Sequence, residues 1–360
     1  MKNIFGAFGK KSGYLGVDIG TASIKLAELT GTAGKVRLKN YGILEVAGHL
    51  EQVNNVIQTS SLEMVDNDTV GVLKTLLGKV KPTVKEAIVS LPAFNAFTSL
   101  VEIPVMPDQE TTQAMQYQAR SLVPLPLDKV NLDWFRVGTR TDGVAKIQQV
   151  FLVAVPKRQI EKYQQIFRQV GLNLVALELE TVSLARVLAK GDPTLTLIVD
   201  IGARSTAIGV AASGALLQST QTDFAGGSLT HAVARGLSIN ISRAEELKRQ
   251  KGLLGRGGEY ELSTLMLPYL DVILNEAKRV KESYEKNRGG KIERVILSGG
   301  GANLQGIEAY VTDKLQLPAI KAEPFHGNVV YDGSMEPIIK EVGPPLAVAL
   351  GLGLKGFSNK

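Results

Sequence analysis

The 360-residue chain contains no cysteine, which excludes disulfides, thiolate nucleophiles and cysteine-ligated metal sites. It has only three histidines, and they are too far apart in sequence to form a histidine-rich zinc site. The longest apolar stretch, 346–354, is much shorter than the roughly 20 residues of a membrane-spanning helix. No secretory signal is visible at the start, so we expect a cytoplasmic protein.

A strong excess of either charge sign is also missing. Lysine and arginine number 41 against 35 aspartates and glutamates, giving a net charge of +6. Basic runs such as 248–251 are short and lack interleaved aromatic residues, so we expect no nucleic-acid partner. The hydrophobic fraction of 44% is typical of folded globular proteins, and the length predicts two large lobes.

An internal repeat supports the prediction of two lobes. The sequence Val-Asp-Ile-Gly occurs at 17–20 and again at 199–202. In both copies an apolar run leads into the aspartate, small residues follow the glycine, and apolar residues then resume. This pattern predicts a strand, a tight glycine turn and a second strand, so each copy is expected to form a β-hairpin.

The residues at these two turns suit a clamp for a polyphosphate. Glycine lets the backbone approach a ligand closely, and hairpin-tip amides with neighbouring hydroxyls can form an anion-binding nest. An aspartate before each turn could hold hydrated Mg²⁺ beside the phosphates. The predicted phosphate and metal residues are Asp18, Gly20, Thr21, Ser23 and Lys25 in the first copy, and Asp200, Gly202, Arg204, Ser205 and Thr206 in the second.

A glycine-rich turn follows a predicted strand at 294–297. Gly299, Gly300 and Gly301 would allow close approach of a flat ring such as adenine, although an ordinary tight turn explains the triplet equally well. The dinucleotide fingerprint fails at Leu304, and no Walker A motif is present. The following residues, with Leu304 and three further apolar side chains on one face, predict a helix.

A helical segment between these motifs has two interpretations. Ser242 and Glu245 have the spacing of a capping box, so Glu245 could cap a helix. Alternatively, Glu245 and Lys248, one turn apart, could grip a ribose. The local pattern favours the cap, and the two roles are compatible.

Taken in order, these elements resemble the actin-like ATPase superfamily. The resemblance implies an α/β actin-like fold with two duplicated ribonuclease H-like lobes that bind ATP and Mg²⁺, with Asp18 and Asp200 at the metal. It adds Gly226, Gly227, Glu245, Lys248 and Asn303 to the nucleotide contacts. It also implies interdomain helices near 176–188 and 345–353, the second rich in small residues that suit a close crossing. Glu180 or Glu178 would orient the attacking water, although both also fit the start of a helix.

Residues 86–156 resemble, more narrowly, the inserted subdomain shared by the FtsA and PilM families. A strand, a helix at 108–122, a proline-rich segment and two strands around a 138–143 turn occur in that order. The ending 356–360 offers no amphipathic tail of the FtsA type, so the PilM family of type IV pilus assembly proteins is the better match. That resemblance implies that a PilN-type inner-membrane protein and other pilus assembly proteins are partners. It also implies that the chain contacts the membrane only through these partners and that it can self-associate.

In this resemblance, a groove between the inserted subdomain and the first lobe receives the partner's cytoplasmic N-terminus. Four apolar residues could line that groove or belong to the subdomain core: Phe94, Phe97, Leu100 and Ile103. The predicted divisions are 12–88 with 157–192 for the first lobe core, 89–156 for the inserted subdomain, 193–225 with 292–360 for the second lobe core, and 226–291 for a helical subdomain.

Two departures from the superfamily pattern bear on catalysis. Glu178 stands where an aspartate is common, and Ala203 where a threonine or serine is common. We therefore expect ATP binding with at most weak hydrolysis, which favours a nucleotide-responsive scaffold. A small-molecule kinase and an FtsA-like filament-forming division protein are the alternatives, although no polar sugar pocket is apparent.

Overall fold

The computed structural model describes residues 12–46, 66–142, 145–254 and 260–358. Two five-stranded sheets dominate these residues, and a three-stranded sheet lies beside them. The strands are β1 (Gly13–Ile19), β2 (Ser23–Thr32), β3 (Lys35–Glu45), β4 (Glu86–Leu91), β5 (Phe97–Pro104), β6 (Val130–Asp142), β7 (Ala145–Pro156), β8 (Asn173–Leu179), β9 (Thr196–Ile201), β10 (Thr206–Ala212), β11 (Ala215–Thr222), β12 (Arg294–Ser298) and β13 (Ala319–Lys321).

Nine helices are described around these sheets. They are α1 (Asp66–Val80), α2 (Asp108–Leu122), α3 (Lys157–Gln169), α4 (Glu180–Leu188), α5 (Gly226–Leu237), α6 (Ile241–Lys251), α7 (Tyr260–Arg288), α8 (Ile307–Leu315) and α9 (Ile339–Lys355). None of the helices in the described part of the chain is both long and apolar enough to cross a membrane.

The two large sheets have the same topology. The first runs β3-β2-β1-β4-β8 and the second β11-β10-β9-β12-β13. In each, the first three strands pair antiparallel and the last two join in parallel. The duplicated α/β architecture predicted from the repeat is therefore confirmed.

Both predicted hairpins are present and close in the same way. In the first, β1 pairs with β2, and the Gly20 amide donates to the Ser23 carbonyl over 3.1 Å. In the second, β9 pairs with β10, and the Gly202 amide donates to the Ser205 carbonyl over 3.0 Å. Strands β1, β9 and β10 are buried along nearly their whole length, as expected for strands in the interior of a sheet that is covered on both faces.

The three-stranded sheet, in the order β5-β7-β6, is inserted between β4 and α3 and has its own hydrophobic core with α2. The helix predicted at 108–122 is confirmed. The two strands predicted around a 138–143 turn are present as β6 and β7. The turn does not begin at 138, because β6 continues to Asp142, with Gly138 paired to Gln149 just after a register shift. The FtsA-type character of this insertion stays a prediction.

Helices α4 and α9 cross at the junction of the lobes. The first interdomain helix begins at Glu180, later than predicted, because 176–179 belongs to β8. Gly351 of α9 lies against the Ser183 carbonyl of α4, which confirms the close crossing predicted from the small residues of α9. Near the chain's end, Val330 also exchanges backbone hydrogen bonds with β3, so part of the 292–360 range packs on the first lobe.

Candidate functional site

The tips of the two hairpins face each other across a cavity that opens to solvent. They meet because β1 and β9 end at corresponding edges of two sheets with the same topology. The cavity is lined by Asp18 to Ser23 and Lys25, by Asp200, by Gly202 to Ser205 with Ala207, and by Pro92, Phe94, Glu180 and Val348. The structure thus brings together all the predicted residues of the two phosphate turns except Thr206, and adds Glu180.

A buried ion pair forms the centre of this cleft. Lys25 Nζ lies 3.0 Å from Asp18 Oδ2, in register across the hairpin. Burial alone would lower the pKa of Lys25, but Asp18, Asp200 and Glu180 together raise it above the ordinary value. The lysine is therefore held charged, as a phosphate ligand must be.

Negative charge in the cleft exceeds what Lys25 can balance. Burial, with a smaller contribution from Asp18, raises the pKa of Asp200 to about 6, although a hydrogen bond to Ser298 opposes the shift. Burial and the charges of Asp18 and Asp200 raise the pKa of Glu180 well above its ordinary value. Such crowding of carboxylates is typical of sites that bind a cation.

These residues fit a hydrated magnesium ion. Asp18 Oδ1 is buried without a hydrogen-bond partner in the described structure, so it is available to a ligand. Within the described ranges, no three His, Cys, Asp or Glu side chains are placed to hold a metal by themselves. That pattern suits Mg²⁺, which keeps several waters and takes its other ligands from phosphate oxygens.

Three predicted contact residues, Thr206, Gly226 and Gly227, support the second hairpin instead of facing the cleft. Thr206 donates its hydroxyl to the Phe224 carbonyl over 2.7 Å, so this hydroxyl does not serve a phosphate. The amides of Gly226 and Gly227 donate to the carbonyls of Gly202 and Ala203 over 3.0 and 2.7 Å. A side chain at Gly227 would collide with the Ala203 carbonyl, so the glycines let α5 dock directly beneath the phosphate turn.

The three glycines after β12 have different roles. Gly299 has a φ of 77°, and a Cβ there would lie 2.5 Å from the Ile201 carbonyl oxygen. A Cβ at Gly301 would overlap the Ile201 side chain, whereas one at Gly300 would meet nothing within 4 Å. Packing against β9 therefore requires two of the glycines, and only Gly300 presents open space to a ligand. Asn303 donates to the Glu341 carbonyl over 2.8 Å and anchors the start of α9.

The capping-box interpretation of Glu245 is wrong. Helix α6 begins at Ile241, and Asn240 caps it by accepting from the Arg243 amide over 2.8 Å. Glu245 instead accepts from Thr230 and pairs with Lys248 at 2.6 Å. Lys248 in turn donates to the Gly226 carbonyl over 3.0 Å, so the pair braces the α5 end that supports the second hairpin.

Glu178 is not among the cleft-lining residues. It is 1% exposed and lies in an ion-pair cluster with Arg186 at 2.5 Å and Lys355 at 2.6 Å. Burial opposes ionisation, but the two cations hold the pKa of Glu178 at about 2. Arg186 also donates to the Gly351 carbonyl over 3.1 Å, so the cluster ties α4 to α9. The prediction that Glu178 orients a water in the cleft is therefore wrong, whereas Glu180, the first residue of α4, lines the cleft and stays the predicted water-orienting residue.

An open groove runs between the inserted subdomain and the first lobe. Of the four apolar candidates, Phe94 and Phe97 line it, whereas Ile103 is buried in the subdomain core and Leu100 packs against the first-lobe core. The remaining lining residues are Asn95, Ala96, Val123, Pro124, Leu125, Val130, Ala154, Pro156, Arg158 and Gln159.

Sequence reasoning missed Pro92 and Val348 in the cleft, and missed that Phe94 lines both cavities. The sequence held a signal for Pro92 and Phe94. They follow β4, which runs parallel to β1, and the carboxyl ends of parallel neighbours meet at one edge of a sheet. Val348 carries no comparable local signal, because only the docking of α9 places it there.

Comparisons with known proteins agree with this geometry. The structure resembles that of a PilM–PilN type IV pilus biogenesis complex, with a TM-score of 0.80, 24% identity, and coverage of 96% of this chain and 99% of that one. It also resembles the ethanolamine utilization protein EutJ of Carboxydothermus hydrogenoformans (TM-score 0.58, 18% identity, coverage 97% and 92%). A third similar structure is MreB5 of Spiroplasma citri bound to AMPPNP (TM-score 0.54, 14% identity, 96% of both chains).

These similarities show that the fold is that of the actin-like ATPases. The sequence itself matches the family described as type IV pilus assembly protein PilM over residues 16–357, nearly its whole length. The chain therefore belongs to the PilM family of type IV pilus assembly proteins.

Proposed function

We propose that this chain is a nucleotide-responsive scaffold of type IV pilus assembly, which binds ATP with Mg²⁺ in the cleft and a PilN-type peptide in the groove. The observation that carries the nucleotide part is the cleft itself. Two hairpin turns with the same closing hydrogen bond face each other around Lys25 and the partnerless Asp18 Oδ1. The similar MreB5 structure holds AMPPNP, which supports a nucleotide on this fold.

In this proposal the phosphates lie between the two turns. Lys25 and Arg204 supply positive charge, and the hydroxyls of Thr21, Ser23 and Ser205 donate hydrogen bonds. Asp18 and Asp200 hold the hydrated Mg²⁺, which neutralises phosphate charge when bound. Gly300 leaves room for the adenosine, and the Glu245–Lys248 pair lies beside the ribose. Glu180 orients the water for at most weak hydrolysis.

The groove is the proposed site for the cytoplasmic N-terminus of a PilN-type inner-membrane protein. The described residues that line it are mainly apolar, with the aromatic side chains of Phe94 and Phe97, and Arg158 is the one charged residue among them. Apolar pockets with few polar groups suit a short peptide that buries anchor side chains. The PilM–PilN complex supports the identity of the partner. The chain would then be cytoplasmic and reach the inner membrane through this partner.

Calorimetry of ATP binding with Mg²⁺ tests the nucleotide part. We expect binding by the wild type, at least about tenfold weakening in Asp200→Ala, and little ADP formation. Asp271→Ala is the matched control, because its carboxylate bonds Tyr310 and Lys314 on the α7–α8 surface. A folded wild type that binds no ATP would refute the nucleotide part. Strong stimulation of ADP formation by a small phosphoacceptor would point to a kinase instead.

Fluorescence titration of a labelled PilN N-terminal peptide tests the groove. Phe97 lines the groove together with Ala154 and Val130, which lie on neighbouring strands. Phe97→Ala should weaken peptide binding by roughly 1–3 kcal/mol, because an aromatic anchor is lost. Tyr117→Ala, on the exposed face of α2, is the matched control within the same subdomain. Equal weakening by the two substitutions would place the peptide elsewhere.

A further inference from the structure

Phe94 lines both proposed binding sites. It lies in the short helical turn Ala93–Asn95 that follows β4. Its ring borders the cleft with Thr21 and Glu180, and the groove with Phe97 and Val130. A smaller pocket that reaches Tyr163 of α3 is again lined by Phe94, and it shares Thr21 with the cleft and Asn95 with the groove. One side chain therefore forms part of the wall of two sites for different ligands.

The backbone of this turn is tied directly to the first phosphate hairpin. The Ile19 amide, one residue before the Gly20 turn, donates to Ser90 Oγ over 3.0 Å, and Ser90 is fully buried in β4. Two residues later Pro92 begins the turn, and its carbonyl accepts from the Asn95 amide over 3.0 Å. A hydrogen bond and the end of β4 therefore connect the hairpin tip to the turn that carries Phe94.

The same turn also lies against the second lobe. Residues Ala93–Asn95 contact β11, the edge strand of the second sheet, in addition to their contacts in the first lobe. Phe94 itself is partly exposed and contributes to none of the three hydrophobic cores found in the described residues. Phe94 therefore lies where the first hairpin, β11 and the two sites come together, outside the tightly packed cores.

We propose that the Pro92–Asn95 turn, acting through Phe94, couples the cleft to the groove, so that nucleotide with Mg²⁺ tightens peptide binding. A ligand between the hairpins restricts the tip and the ring, and a second ligand then meets a wall that is already ordered. Linkage makes the effect reciprocal, since the peptide must tighten nucleotide binding by the same factor. This inference rests on the proposed function, because it concerns the regulation of those two sites.

The test measures four binding constants on the full chain. The peptide is titrated with and without AMPPNP and Mg²⁺, and AMPPNP with and without the peptide. We expect each ligand to tighten the other by about 5-fold or more. Phe94→Leu keeps an apolar side chain but removes the ring, and should reduce the factor to near 1. Phe97→Leu is the matched control, because Phe97 lines only the groove, and should weaken the peptide while the factor persists.

The outcomes separate the coupling from the proposed function. If the wild type fails to bind one or both ligands, the proposed function and the coupling are both overturned. Binding of both ligands with a factor near 1 overturns the coupling alone. A factor that survives in Phe94→Leu also overturns it, because the coupling would then not depend on the Phe94 ring.

Discussion

Gly351 of α9 lies directly on the backbone carbonyl of Ser183 in α4, so a Cβ at position 351 would overlap that oxygen. The contact sets how closely the two helices approach where they cross at the junction of the lobes. Backbone cannot move aside as a flexible side chain can, and the helices must separate to accept even one methyl group.

Gly351→Ala should therefore lower the free energy of unfolding by roughly 2–3 kcal/mol, measured by urea denaturation. Gly71→Ala is the control, because Gly71 lies on the exposed face of α1 with nothing within 4 Å of an added Cβ. That variant should be more stable by roughly 0.5–1 kcal/mol, since alanine is the better helix former. Equal effects of the two substitutions would contradict the close crossing.

Glu178→Gln should destabilise the protein by about 3 kcal/mol at neutral pH, because Arg186 and Lys355 would keep their buried charges without the carboxylate. The pKa of Glu178 is about 2 in the folded chain, below its ordinary value of 4.5. Its contribution to stability is thus complete above about pH 4.5 and is lost as the pH falls toward 2. Denaturation curves at pH 7 and pH 3 should show a smaller penalty at the lower pH, and a penalty under about 1 kcal/mol at pH 7 would contradict the buried cluster.

ATP binding with Mg²⁺ should depend on pH through Asp200. Its pKa is raised from 3.8 to about 6, so the carboxyl is protonated in acid and cannot hold the hydration shell of the cation. The affinity should therefore fall as the pH drops below 6, by up to about tenfold per unit, and level off above it. Calorimetry between pH 5 and pH 8 checks this, and Asp200→Asn should flatten the profile near pH 6. An unchanged profile in that variant would assign the dependence to another group.

A salt bridge joins the lobes, where Arg249 of α6 lies 2.9 Å from Glu45 at the end of β3. Both side chains are 56% exposed, so a double-mutant cycle with Glu45→Gln and Arg249→Gln should give a coupling below about 1 kcal/mol. The coupling should vanish in about 1 M salt, because screening acts fully on exposed charges. The same cycle is applied to the rate at which a fluorescent nucleotide is released, measured by stopped flow. A coupling of several kcal/mol would instead indicate that the salt bridge holds the lobes rigidly together.

The repeat at 17–20 and 199–202 determined much of the fold by itself. Hairpins are local structures, and an aspartate, a glycine turn and resuming apolar residues specify a strand pair without distant contacts. Two copies implied two similar lobes, and their tips carried the phosphate chemistry. The helix at 108–122 was equally readable, because proline precedes it and acidic residues occupy its first turn.

The roles of individual polar residues and glycines were decided only by tertiary structure. Glu178 and Glu180 are two residues apart, yet one lies in a buried ion-pair cluster and the other in the cleft, because β8 ends between them and α4 begins. The three glycines after β12 read alike in sequence, but contact with Ile201 separates two of them from Gly300. Phe94 gained its place between two sites from the parallel pairing of β1 with β4, a long-range contact that local pattern does not encode.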